Sequence, residues 1–207
     1  MLNMGAVLVL LIGVTDGVKT FCNATQPHIT TQCFGSLGGT VEVQLPAQSS
    51  QDDTYELRKN NVLIAKTALI ITDTRYSFIV STGIFTIKDV KRSDNGTYSM
   101  VIHNVGGIEI ANVTWFLSIQ APVSSPHLSR VCLSRGQQRV SCSAGGDGPH
   151  YSWSLDGHPL NDTHLLSGPS TASDITLELG LLTCSVSNNT SNTAANITLS
   201  VCDVLMG

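Results

Sequence analysis

Arg139-Val140-Ser141-Cys142-Ser143-Ala144-Gly145-Gly146-Asp147-Gly148-Pro149-His150-Tyr151-Ser152-Trp153, read together with Cys184, decides how this chain folds. Val140-Ser141-Cys142 alternates apolar and polar, a Gly/Pro turn follows, and Tyr151-Ser152-Trp153 alternates again. Further on, Leu182-Thr183-Cys184-Ser185-Val186 shows the same period of two. That period places Cys142, Trp153 and Cys184 on the inward sides of three strands. Two sheets stacked about 10 Å apart leave a gap that one disulfide and one indole fill. The stretch therefore predicts a two-layer β-sandwich pinned by Cys142–Cys184, with Trp153 against the bond. A disulfide-rich secreted module of another fold is the alternative, and the regular strand spacing argues against it.

Cys, then Trp, then Cys on a later strand is the spacing of an immunoglobulin-like core. Around it, Leu128 to Leu133 opens this half with a strand carrying Cys132, and Asp156-Gly157 makes a turn. Ile175, Leu177 and Leu179 alternate as a strand, and Ala195 to Val201 forms the last one, closed by Cys202. Cys132–Cys202 would then tie the first strand to the last. Little room for strands separates Trp153 from Cys184, so residues 127–203 read as a constant-like (C2-like) domain, with Leu182 where a corner tyrosine would stand. Residues 121–126, within Ile119-Gln120-Ala121-Pro122-Val123-Ser124-Ser125-Pro126-His127, have the composition of a short, semi-stiff linker.

The first half repeats the pattern without the sulfur. Val41, Val43 and Leu45 face one way on a strand, and Tyr55 to Lys59 and Val62 to Lys66 flank Asn60-Asn61, residues that tolerate positive φ in a tight hairpin. Arg75 to Val80, Ile84 to Ile87, Ser93 to Ile102 and Ile108 to Ile119 continue a series of short strands with no helical period. Asp94-x-Gly96-x-Tyr98 is the spacing of a tyrosine corner, in which the phenol hydroxyl binds backbone upstream. Asp94 is also expected to pair with Arg75. The core positions hold Leu45, Leu57 and Met100, so a Leu–Met contact replaces the sheet-to-sheet disulfide. Burial then stabilises by about 1.5–3 kcal/mol per side chain, without the entropic gain of a cross-link. Cys22 and Cys33 are left to bridge each other and tie the N-terminal segment into a loop. A metal site is their alternative use, but no second Cys pair or nearby His pair completes a ligand set.

The 207 residues exceed one sandwich of about 100 and suit two, here 18–120 and 127–203, after a signal peptide. Residues 1–17 carry an apolar run of signal-peptide length, too short to span a bilayer comfortably; an uncleaved anchor is the alternative. Charged residues make up 13% and the net charge is -4, with no basic patch, which argues against a nucleic-acid partner. Sequons at Asn23, Asn95, Asn112, Asn161, Asn188, Asn189 and Asn196 fit a glycosylated, extracellular chain, with one glycan at most on the adjacent pair Asn188 and Asn189. None of the 6 histidines sits in a nucleophile-elbow or HExxH frame, so no enzyme, small-molecule substrate or cofactor is expected.

A V-like domain lacking its central disulfide (Leu45, Met100), followed by a C2-like domain with Cys132, Cys142, Cys184 and Cys202, resembles the CD2/SLAM family of leukocyte receptors, CD48-like and CD2-like members of bony-fish type in particular. The resemblance runs from Phe21 to Cys202. Its local matches are Cys33 to Val41, Ser93 to Tyr98, Gln120 to Ser125 and Tyr151 to Gly157. It implies adhesion and recognition between immune cells, with another such ectodomain, of the same or a different kind, as protein partner. It implies contact through the sheet of strands G, F, C and C′, whose outward positions here are Glu56, Arg58, Lys66, Val101, His103 and Glu109. Asn112 falls on the predicted strand G, where a glycan would cover part of that face. The few residues after Cys202 carry no membrane helix or lipid-anchor signal. Cell-surface attachment of a longer form and a secreted, decoy-like form therefore both remain open.

Overall fold

The computed structural model describes residues 18–47, 50, 52–67, 73–132, 138–160, 165–167, 172–177 and 179–201. Residues 1–17, the Asn161 sequon and Cys202 lie outside them, and so does the pairing Cys132–Cys202; Cys132 itself is disulfide-bonded.

The strands of the first half are β1 (Lys19–Asn23), β2 (Thr30–Ser36), β3 (Thr40–Gln44), β4 (Thr54–Lys59), β5 (Val62–Lys66), β6 (Tyr76–Ile79), β7 (Ile84–Ile87), β8 (Gly96–His103) and β9 (Glu109–Gln120). They form a four-stranded sheet in the order β1-β3-β7-β6 and a five-stranded sheet in the order β2-β9-β8-β4-β5. The second half contributes β10 (His127–Cys132), β11 (Gln138–Ser143), β12 (His150–Leu155), β13 (His158–Pro159), β14 (Leu165–Ser167), β15 (Ala172–Leu177), β16 (Gly180–Ser187) and β17 (Asn192–Leu199). These make two four-stranded sheets, β10-β11-β15-β14 and β13-β12-β16-β17. Among the described residues the chain is all-β, apart from one 3-10 turn over Arg92–Asp94, and forms two tandem immunoglobulin-like sandwiches.

Each sandwich has its own core. In the second, Cys142 and Cys184 are bonded across the sheets, Trp153 lies opposite Cys184 in the strand register, and Val123, Val140, Leu182, Val186 and Leu199 belong to the same buried cluster. In the first, Leu45, Leu57 and Met100 are fully buried in one cluster with Val41, Val43 and Phe85. The indole of this core comes from β9: Trp115 stacks on Tyr98 at 5.3 Å and meets Phe85 edge-on at 6.2 Å. Aromatic contacts of this kind contribute about 0.5–1.5 kcal/mol each beyond area burial.

Several elements differ from the sequence expectation. The expected Cys22–Cys33 bridge closes its loop, but the segment also forms two strands that the sequence did not announce. β1 pairs in parallel with β3 and β2 in parallel with β9, so the two strands belong to opposite sheets. The Cys22–Cys33 bond therefore staples the two layers at their edge. It closes a loop with a sequence separation of 11, for which chain entropy gives about 3 kcal/mol. The last strand begins at Asn192, and Leu179 lies in a bend beyond the end of β15. A two-residue β13 extends the Trp153 sheet, so this sandwich holds one more strand than a minimal constant-type one.

The base of the first sandwich is organised by Asp94, which is 1% exposed. Its carboxylate accepts hydrogen bonds from Arg75 Nη1 at 2.7 Å and Nη2 at 3.0 Å, from the Tyr76 hydroxyl at 3.2 Å and from the Lys91 amide at 2.8 Å. Its carbonyl accepts the Tyr98 hydroxyl at 2.9 Å, closing the tyrosine corner. At the adjacent hairpin, Asn60 and Asn61 both adopt positive φ, 48° and 66°, as a tight two-residue connection requires.

Candidate binding face

The outward side of the five-stranded sheet, the sheet with the most strands among the described residues, carries the side chains expected at the contact face. Strand parity decides what it displays. On β4, Leu57 points into the core while Glu56 and Arg58 are half-exposed. On β8, Met100 and Ile102 are buried while Val101 and His103 alternate outward. Lys66 on β5 and Glu109 on β9 are exposed. Cross-strand pairing aligns Lys66 with Glu56, Glu56 with Val101, and Val101 with Asn112, one lateral row over four strands. His103 lies opposite Glu109 next to a bulge that leaves Ile110 as the extra residue.

The charges on this face are ordered. The Glu56 carboxylate takes Lys66 Nζ at 2.8 Å and Arg58 Nη2 at 2.9 Å. Hydrogen bonds from Lys66 and then Arg58 hold its acid well below the usual range, at about 2. The β4–β5 half therefore carries two cations around one permanent carboxylate, while Glu109 places a negative charge on β9. Exposed ion pairs of this type contribute about 0–1 kcal/mol to stability, so their main consequence is a patterned electrostatic surface.

The sequence reading missed the apolar part of this face. Val105, Ile108 and Ile110 are exposed at the β8–β9 hairpin, and Phe116 on β9 and Leu63 on β5 are partly so. The hairpin is locked by Asn104. Its amide donates to the Ile108 carbonyl, its carbonyl accepts the Gly107 amide, and its side-chain oxygen accepts the Ile108 amide at 3.0 Å. Two aliphatic side chains are thus held on a fixed turn, which lowers the ordering cost of a contact. Val105 and Ile108 flanking Gly106-Gly107 were the available signal. A shallow groove lined by His28, Ile29, Thr30, Asn112 and Thr114 borders the face along β2.

The sequons occupy different settings. Asn112 is exposed in the lateral row described above, and Asn23, Asn189 and Asn196 are exposed at edges or turns. The Asn95 side-chain oxygen accepts the Ile119 amide, while the Asn188 carboxamide is engaged on both its nitrogen and its oxygen.

No family model matches the chain. By sequence, it is 32% identical over 127 residues to mouse "Leucine-rich repeats and immunoglobulin-like domains protein 3", an alignment covering 57% of this chain and 11% of that protein. By structure, it is similar to the CD2-binding domain of CD58, with a TM-score of 0.65 and 15% identity, covering 84% of this chain and 100% of the other. It is also similar to murine CEACAM1b, with a TM-score of 0.63 and 17% identity over 84% of this chain and 99% of that one. At these identities the likeness is one of fold. It is the immunoglobulin-like fold.

Proposed function

We propose that this chain is an extracellular recognition module of CD2/SLAM type that binds another immunoglobulin-like ectodomain through the outward face of β2-β9-β8-β4-β5. Residues 18–120 would form the V-like binding domain and 127–203 the C2-like spacer, joined by 121–126 and preceded by a signal peptide at 1–17. The single observation carrying this reading is the face itself: an ordered Lys66–Glu56–Arg58 cluster on β4 and β5, with Glu109 on β9 and aliphatic side chains fixed on the Asn104 turn. Patterned charge supports fast, selective encounter, and the rigid aliphatics supply contact area at low entropic cost. The same face serves a membrane-attached or a secreted form.

The test is a binding screen of the full chain against itself and a panel of immunoglobulin-like ectodomains, followed by Arg58→Glu and Glu109→Arg. Loss of a close interfacial charge contact is expected to weaken a genuine interaction by roughly tenfold or more, with a smaller dependence on salt. An interaction untouched by both reversals, but abolished by substituting the exposed Phe21 on the opposite sheet, would overturn the assignment of the face.

A further inference from the structure

The turn between β16 and β17, Asn188-Asn189-Thr190-Ser191, holds two overlapping sequons, Asn188-Asn189-Thr190 and Asn189-Thr190-Ser191. The structure treats the two asparagines in opposite ways. Asn188 Oδ1 accepts from the Thr190 amide at 3.0 Å and hydroxyl at 3.1 Å, and from the Ser191 amide at 3.0 Å and hydroxyl at 2.9 Å. Its Nδ2 donates to the Ala121 carbonyl at 2.8 Å and the Asp147 carbonyl at 3.1 Å. A carboxamide nitrogen has two hydrogens, and both are committed. Asn189 is exposed, and its bond is a backbone one, from its amide to Gln120 Oε1 at 3.1 Å.

Asn188 lies where the segment joining the sandwiches meets the second one. Ala121 donates its amide to Asp147 Oδ2 at 2.8 Å and accepts the Asp147 amide at 3.2 Å. Val123 donates its amide to Ser191 Oγ at 2.8 Å. Asp147 is also ion-paired with Arg92 of the first sandwich. At Gly146, with φ of 104°, a Cβ would come within 2.5 Å of the Pro122 carbonyl oxygen, so the approach of the segment requires glycine there.

We propose that Asn189 alone of this pair is a glycan acceptor, and that Asn188 is the pin fastening the connecting segment to the second sandwich. N-glycosylation joins Nδ2 to the anomeric carbon of an oligosaccharide carried on a polyisoprenyl diphosphate. The C–O bond to the diphosphate breaks, the lipid diphosphate departs with the bonding pair, and Nδ2 gives up one hydrogen as a proton. At Asn188 that hydrogen is one that reaches Ala121 or Asp147, and the sugar would occupy the place of that backbone. At Asn189 nothing in the junction is displaced.

The assignment rests on the extracellular reading. Its test is site mapping of the full chain from a secretory host, by enzymatic deglycosylation in heavy-oxygen water, which converts each occupied asparagine to labelled aspartate. Label on Asn189 with Asn188 unlabelled is expected, and Thr190→Ala, which removes only the first sequon, should keep it. Label on Asn188 overturns the proposal, as does a bare Asn189 alongside occupied Asn112 or Asn196. A chain with no label anywhere overturns the extracellular reading along with it. The pin has a separate readout, limited proteolysis of residues 121–126. Asn188→Gln is expected to raise the cleavage rate about tenfold and Asn189→Gln to leave it unchanged. Equal rates in both variants would overturn the role of Asn188.

Discussion

Replacing Asp94 with Ala is expected to lower the stability of the first sandwich by about 3–5 kcal/mol, the cost of removing one partner from a buried ion pair. The carboxylate is 1% exposed and receives four hydrogen bonds to its oxygens, two of them from Arg75. Without it, Arg75 keeps Asp73, which binds its Nη2 at 2.7 Å, but two of its nitrogens lose the acceptor that faced them. The Lys91 amide and the Tyr76 hydroxyl lose theirs as well. Urea titration of the full chain measures the loss, with hydrogen exchange on β3 and β8 assigning the transition. The sign with pH follows. Burial alone would raise the Asp94 acid, but hydrogen bonds from Arg75 and Lys91 outweigh it and leave it below its ordinary value. Such a group stabilises fully above the unfolded value of about 3.9, and the contribution falls away as pH drops through the depressed folded value. Stability of the first sandwich should therefore decline below about pH 4, and less steeply in Asp94→Asn. An unchanged pH profile in that variant would remove Asp94 from the account.

Trp115→Ala is the second large effect, with an expected loss of about 3–5 kcal/mol. The side chain is fully buried, stacked on Tyr98 and edge-on to Phe85, in a core with no central disulfide to hold the sheets while a cavity opens. Trp115→Phe should recover part of the loss, because a ring still contacts Tyr98 and Phe85. The chain has 2 tryptophans, Trp115 and Trp153, one in each core, so the remaining Trp153 fluorescence reports whether the second sandwich is disturbed. Loss below about 1 kcal/mol would mean that the core is not organised around this indole.

Most of the fold is written in local patterns. Alternation around Cys142, Trp153 and Cys184, the Asn60-Asn61 hairpin and the Asp94-x-Gly96-x-Tyr98 spacing are short-range features, and each corresponds to one strand or turn. What escaped is held by distant partners. Lys19-Thr20-Phe21-Cys22-Asn23 has no clean apolar stripe, and it becomes a strand because β3 pairs with it in parallel and Cys33 anchors it. The start of β17 at Asn192-Thr193 is polar and pairs with Ser187 and Val186. On the face, parity alone sorts Glu56 and Arg58 from Leu57. It does not distinguish an exposed aliphatic from a core one, so Val105, Ile108 and Ile110 passed unnoticed. Asp147 has no signal in sequence and Asn188 has only its sequon, and only the folded chain brings both to Ala121.

The central physical claim is that hydrocarbon holds the first sandwich and sulfur the second. Hydrogen exchange on the full chain carrying Cys22→Ala and Cys33→Ala, with and without reductant, tests it most directly. The edge staple contributes about 3 kcal/mol, whereas Cys142–Cys184, with a separation of 42, contributes about 4 kcal/mol at the centre of its core. The expected result is that β3 and β8 stay protected in both conditions while β11 and β16 lose protection when reduced. Loss of protection in β3 and β8 before reductant is added, or retention in β11 and β16 after it, would contradict the claim.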